Sequence, residues 1–117
     1  MGQPVMHFEI IGNDGPRLHK FYADLFDWNV GESMPDMGHY ALVDGASSGL
    51  PGGIGQAMDG SGPRVTVYIQ VPDLQATLDN AVAMGGQVLM PPTEIPNIVT
   101  LAMFADPDGN AIGLIKG

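Results

Sequence analysis

Val5-Met6-His7-Phe8-Glu9-Ile10-Ile11 and Val65-Thr66-Val67-Tyr68-Ile69-Gln70-Val71 are the two stretches whose reading decides the fold. Each alternates with period two, the signature of a strand with unlike faces. In the first, Met6, Phe8 and Ile10 share one face and His7, Glu9 and Ile11 the other. In the second, Val65, Val67, Ile69 and Val71 form an aliphatic face opposite Thr66, Tyr68 and Gln70. His7 and Thr66 occupy equivalent places about half of the 117-residue chain apart. The chain therefore runs through one pattern twice, which implies two like halves.

Outward from each strand the same order repeats. Asn13-Asp14-Gly15-Pro16 opens a helix, with Asp14 as cap and proline in its first turn. Leu18, Phe21, Tyr22, Leu25 and Phe26 then form its apolar stripe. Asp73 caps the second helix, whose stripe is Leu74, Leu78, Ala81 and Val82, and Gly85-Gly86 stops it. Strands are expected at 28–31, 39–43 and 54–58 in the first half. They are expected at 87–90, 100–105 and 111–116 in the second. Ala46 to Gly53 reads as a glycine-rich loop, and Pro91-Pro92 with Pro96 as a stiff one. Asp106-Pro107-Asp108-Gly109-Asn110 is a strong turn signal. The expected organisation is one domain: module one at 4–58, a linker at 59–63, and module two at 64–117. The fold class is α+β, two tandem β-α-β-β-β modules forming a curved sheet cup. Phe8, Ile10, Phe21, Tyr22, Leu25, Val67, Ile69, Leu78, Val82, Ile112 and Leu114 are its expected helix–sheet cores. Truncating Phe21 or Ile69 to alanine is then expected to cost about 2–5 kcal/mol.

The totals narrow the function. Thirteen acids against four bases give a net charge of −9, a field that repels phosphate backbones and anionic membranes. Nucleic acid and membrane are excluded as partners on that ground. There is no cysteine, so thiolate catalysis, disulfides and cysteine metal sites are excluded. The first residues show no signal-like run, and no segment approaches the length needed to span a bilayer. A soluble, cytoplasmic protein is expected. Gly49-Leu50-Pro51-Gly52-Gly53-Ile54-Gly55 lacks the Gly-Lys-Ser/Thr ending and following helix of a phosphate loop.

Several motifs together carry a resemblance. They are His7-Phe8-Glu9-Ile10 with Asp14; Lys20-Phe21-Tyr22 with Leu25-Phe26-Asp27-Trp28; and Val71-Pro72-Asp73-Leu74. Gly85-Gly86, Pro91 to Pro96, and Asp106 to Asn110 complete the set. In this order they resemble the vicinal oxygen chelate superfamily, the glyoxalase, bleomycin-resistance and extradiol dioxygenase group, over essentially the whole chain. Asp27 stands where that pattern usually has glycine. The resemblance implies a homodimer. In the metal-dependent members it implies four ligands, one each on strands one, four, five and eight. Here strand one retains His7, strand five has Thr66, strand eight has Gly113, and strand four offers Ile54-Gly55-Gln56 without a carboxylate. One imidazole does not hold a catalytic divalent ion. No metal and no other cofactor is therefore expected.

His7 and Glu9 share a face, and an adjacent carboxylate orients an imidazole and supports acid–base work. The plainer reading is a structural hydrogen-bonded pair. Thr66, Tyr68 and Gln70 offer hydrogen bonds to a small ligand, against the reading of a partly solvated sheet face. His7, Glu9, Gln56, Thr66, Tyr68 and Gln70 are the candidate ligand-binding residues, and His7, Glu9 and Tyr68 the candidate catalytic ones. Alternation lets only one of His39 and Tyr40 face the cup, and a surface His39 beside a core Tyr40 is the simpler assignment. The leading function is a metal-independent protein that holds an apolar or aromatic small molecule. A glyoxalase-like lyase, isomerase or dioxygenase is the rival. A structural or regulatory dimer with a vestigial cup is the third reading.

Overall fold

The computed structural model describes residues 2–117, and the chain divides into two compact units. One comprises His7–Val65; the other comprises residues 66–117 with the chain's first residues up to Met6. In chain order the elements are β1 (Val5–Gly12), α1 (Gly15–Phe26), a 3-10 turn at Pro35–Met37, β2 (Ala41–Val43) and α2 (Gly45–Ser48). They continue with β3 (Gly52–Gln56), β4 (Arg64–Val71), α3 (Leu74–Ala83), β5 (Gln87–Ile95), β6 (Val99–Ala105) and β7 (Ala111–Lys116). The class is α+β, as the alternation and helical stripes require.

In the first unit β1 pairs in parallel with β3, and β3 pairs antiparallel with β2. Glu9 stands opposite Gly53 in that register. In the second unit β4 pairs in parallel with β7, followed antiparallel by β6 and β5. Tyr68 stands opposite Gly113 there. The duplication is thus visible down to the register: a parallel first-and-last strand pair in each unit, with a glycine facing the polar residue of the first strand.

Both helices begin as expected. The Asp14 carboxylate accepts from Arg17 N–H at 3.1 Å and the Asp73 carboxylate from Ala76 N–H at 3.0 Å, each satisfying an otherwise orphaned donor. Asp27 ends α1 with φ of 58°, a left-handed conformation that explains why glycine suits this place. Under α3, Leu74 and Leu78 pack with Val71, Ala102 and Leu114, flanked by Ile69 and Phe104. Under α1 the packing is aromatic instead. Trp28 lies 5.4 Å from Phe8, 5.6 Å from Tyr22 and 5.3 Å from Phe26, centroid to centroid. These are favourable offset and tilted ring spacings.

Several expectations change. Residues 28–31 form no strand: Val30 makes a single bridge to Val43, while Trp28 turns its ring into the aromatic cluster. The expected loop at Ala46 to Gly53 contains α2, capped by Asp44, and already enters β3 at Gly52. Pro91 and Pro92 lie inside β5, not in a loop. Two register shifts, between Val88 and Met90 and between Met90 and Thr93, accommodate them on the outermost strand of that unit's sheet, where a missing N–H costs no ladder bond. Phe21, Leu25 and Val82 are more than half exposed, so the helical stripes are wider than the surface their own sheet covers.

Candidate functional site

The polar face of β1 carries a connected set of side chains. Glu9 is buried and His7 half-buried. Tyr40 reaches them from the position just before β2. Ala41 and Val43 are buried, so alternation sends Tyr40 and Leu42 to the opposite face. The Tyr40 hydroxyl donates to the Glu9 carboxylate at 3.1 Å, and the same oxygen lies 2.9 Å from His7 Nε2. Imidazole, phenol and carboxylate therefore form one chain.

Room for the phenol comes from glycine. A Cβ on Gly53, opposite Glu9, would fall within the Tyr40 ring and hydroxyl. The second unit repeats the device: a Cβ on Gly113 would fall within the ring of Tyr68. Each last-strand position that the resemblance associates with a metal-binding carboxylate is thus at or beside a glycine whose side-chain space a tyrosine fills. Among the described residues there is no group of three His, Cys, Asp or Glu able to hold a metal. The donor set does not fit a metal centre.

Beside His7 lies an open groove of about 420 Å³, walled by Leu42, Pro51, Asn29, Asp44 and glycine backbone. It carries an imidazole and a carboxylate but no lysine or arginine. A larger groove of about 680 Å³ follows α1, lined by Ile10, Leu18, Phe21 and Tyr22 with Arg17 and Arg64. Its apolar wall includes Phe21, which is more than half exposed.

The other expected residues have these placements. Thr66 is buried and its hydroxyl donates to Ala111 C=O at 3.0 Å. Tyr68 is buried on the same face of β4. Gln70 packs beside Gly117. Gln56 accepts from Gly15 N–H at 2.9 Å, holding the start of α1. His39 has φ of 51° and pairs with Ser33 Oγ at 3.2 Å. His19 donates from Nε2 to Ile54 C=O at 2.8 Å. Tyr40 is the member that sequence reading assigned to the core. The signal for it was the small, buried Ala41 beside it and the glycine facing Glu9.

Burial pushes the His7 imidazole below its ordinary value of 6.5. The unfolded ring takes up its proton at that ordinary value, whereas the folded ring resists it. The stability His7 contributes is therefore complete above the unfolded value and lost as the pH falls from there through the lowered folded value. The melting temperature is expected to fall as the pH drops below the unfolded value of 6.5, and to fall less in His7→Gln. Parallel profiles for the two proteins would remove His7 as the source.

Comparison with known proteins gives three findings. The sequence profile of the Glyoxalase/Bleomycin resistance protein/Dioxygenase superfamily matches residues 5–114. "Putative glyoxylase CFP32" of Mycobacterium bovis, and the protein of that name in Mycobacterium tuberculosis, are each 35% identical over 109 residues, 86% of this chain and 41% of theirs. The chain thus spans about two-fifths of the length of the curated relatives it matches. Among solved structures, methylmalonyl-CoA epimerase from M. tuberculosis aligns with a TM-score of 0.70 and 17% identity, over 96% of this chain and 86% of that one. A glyoxalase/bleomycin resistance protein/dioxygenase superfamily member from Vibrio splendidus aligns with a TM-score of 0.68 and 18% identity, over 99% of this chain and 100% of that one. Those two likenesses establish the fold alone.

Proposed function

We propose that this chain, which belongs to the Glyoxalase/Bleomycin resistance protein/Dioxygenase superfamily, is a small-molecule-binding protein that works without a metal. The observation that carries this is the Glu9–Tyr40–His7 chain beside a groove walled by Leu42 and Pro51. An apolar wall with a few convergent polar groups is the usual make-up of a ligand site. The polar groups there are neutral or acidic, and the net charge is −9. An uncharged or cationic ligand with an aromatic or aliphatic body suits that field; a phosphorylated or carboxylate ligand does not.

The enzyme reading, a lyase, isomerase or dioxygenase, rests on the same trio, since a linked carboxylate and imidazole move protons. Under it Glu9→Gln stops turnover and spares binding. A homodimer and a cytoplasmic setting belong to the proposal as well. Phe21, Leu25 and Phe26 on α1 are 55%, 58% and 54% exposed, an apolar stripe that a second copy would cover. Relatives more than twice as long fit a module that works in multiples.

Thermal unfolding of the purified chain tests the reading with four panels: uncharged aromatics, cationic aromatics, anionic thioesters and divalent transition metals. Stabilisation that grows with ligand concentration is expected from the first or second panel, about 2.7 kcal/mol at a free concentration a hundred times Kd. Stabilisation confined to the anionic or metal panels would overturn it.

A further inference from the structure

We propose that Tyr40 is a positioning residue that locks His7 in the tautomer carrying its hydrogen on Nε2, and that glycine at 53 is what admits the lock. A carboxylate only accepts hydrogen bonds, so the single Tyr40 hydroxyl proton is committed to Glu9 Oε2 at 3.1 Å. The hydroxyl then faces His7 Nε2 with a lone pair, at 2.9 Å. Two lone pairs do not make a contact of that length, so Nε2 supplies the hydrogen. Through the Tyr40 hydroxyl, Glu9 thereby bears on the state of the His7 imidazole.

The arrangement depends on an empty place. Any side chain at 53 would begin inside the Tyr40 ring and push the hydroxyl off both partners. Gly53 lies within β3, paired with Glu9 on one side and Leu42 on the other, so its backbone has little freedom to retreat. Glycine here serves close approach, not an unusual backbone angle. The lock explains why a tyrosine stands just before β2. It also makes a side-chain-free residue, with no chemistry of its own, decide which ring nitrogen donates. What that tautomer does for a ligand rests on the binding proposal above; the lock itself stands without any ligand.

The test is the ring nitrogen NMR spectrum of the uniformly 15N-labelled chain, at a pH where the His7 ring is neutral. The chain has three histidines, and His7→Gln assigns the His7 signals. In the wild type the Nε2–H pattern is expected for His7. Tyr40→Phe removes the hydroxyl that faces Nε2, and a shift toward a mixed or Nδ1–H pattern is expected. Gly53→Ala, which alters none of the three side chains, should produce the same shift. His19, held by the Ile54 carbonyl, should keep its pattern throughout. Amide spectra and melting curves establish that each variant is folded; if Gly53→Ala does not fold, the isosteric Tyr40→Phe decides alone. An Nδ1–H pattern in the wild type, or an unchanged His7 pattern in folded Tyr40→Phe, overturns the lock. Because no ligand is present, failure of every binding panel would leave this result standing.

Discussion

Leu78→Ala is expected to lower stability by roughly 2–5 kcal/mol, the range for emptying a fully packed leucine site. Leu78 is 1% exposed and sits on the buried side of α3 among Val71, Leu74, Ala102 and Leu114. Those neighbours come from a helix and three strands, so they have no common direction in which to collapse, and much of the cavity should persist. Phe21→Ala is the contrast. Phe21 is an expected core residue by helical spacing, yet it is 55% exposed, with an edge-on contact to Tyr22 at 5.2 Å. Its truncation should cost under about 1 kcal/mol in the monomer, near the range for surface changes. Urea unfolding at low protein concentration separates the two. Equal losses, or a larger one at Phe21, would mean that α1 is more tightly covered than its exposure indicates.

That contrast shows what was legible in the sequence. Spacing identifies the stripe of a helix but not how much surface its own sheet supplies beneath it. Leu78 and Leu114 are right because two independent periodicities, helical and strand, converge on one core. Phe21 and Leu25 have only the helical one. The polar faces were readable from alternation, and Glu9 and Tyr68 do lie on the same faces as their expected neighbours His7 and Thr66. Tyr40 was not readable in the same way. Its alternation partner His39 has a left-handed backbone, so parity does not carry through from one to the other. Its partners are 31 and 33 residues away, a separation that no local pattern encodes. Gly113 was legible as a missing ligand, whereas Gly53 fell in the expected loop before Ile54-Gly55-Gln56. The role of both glycines as sockets for tyrosine rings needed the register of β1 with β3 and of β4 with β7. Pro91 and Pro92 mislead for the opposite reason: proline chemistry excludes an interior strand but tolerates an outer, bulged one.

Gly113→Glu carries the second large effect, and it bears on whether a metal site is one substitution away. Gly113 is buried opposite Tyr68, and the first carbon of any side chain there would overlap the tyrosine ring. Tyr68 is 7% exposed, so the ring has little room to swing aside. The substitution should therefore destabilise by at least about 1–3 kcal/mol from overpacking, with a further cost of several kcal/mol if the carboxylate is buried without a partner. Restoring the carboxylate alone should not recruit zinc, nickel or manganese, because the space it needs is taken and Thr66 is already bonded to Ala111. Combining it with Tyr68→Ala vacates that space. The double variant should then be more stable than the sum of the two single losses, with a coupling of roughly 0.5–3 kcal/mol. Unfolding free energies for the four proteins, measured with and without added metal, give both readings. Strict additivity would mean that ring and side chain do not compete, and metal-dependent stabilisation of Gly113→Glu alone would mean that the tyrosine does not replace the ligand position at all.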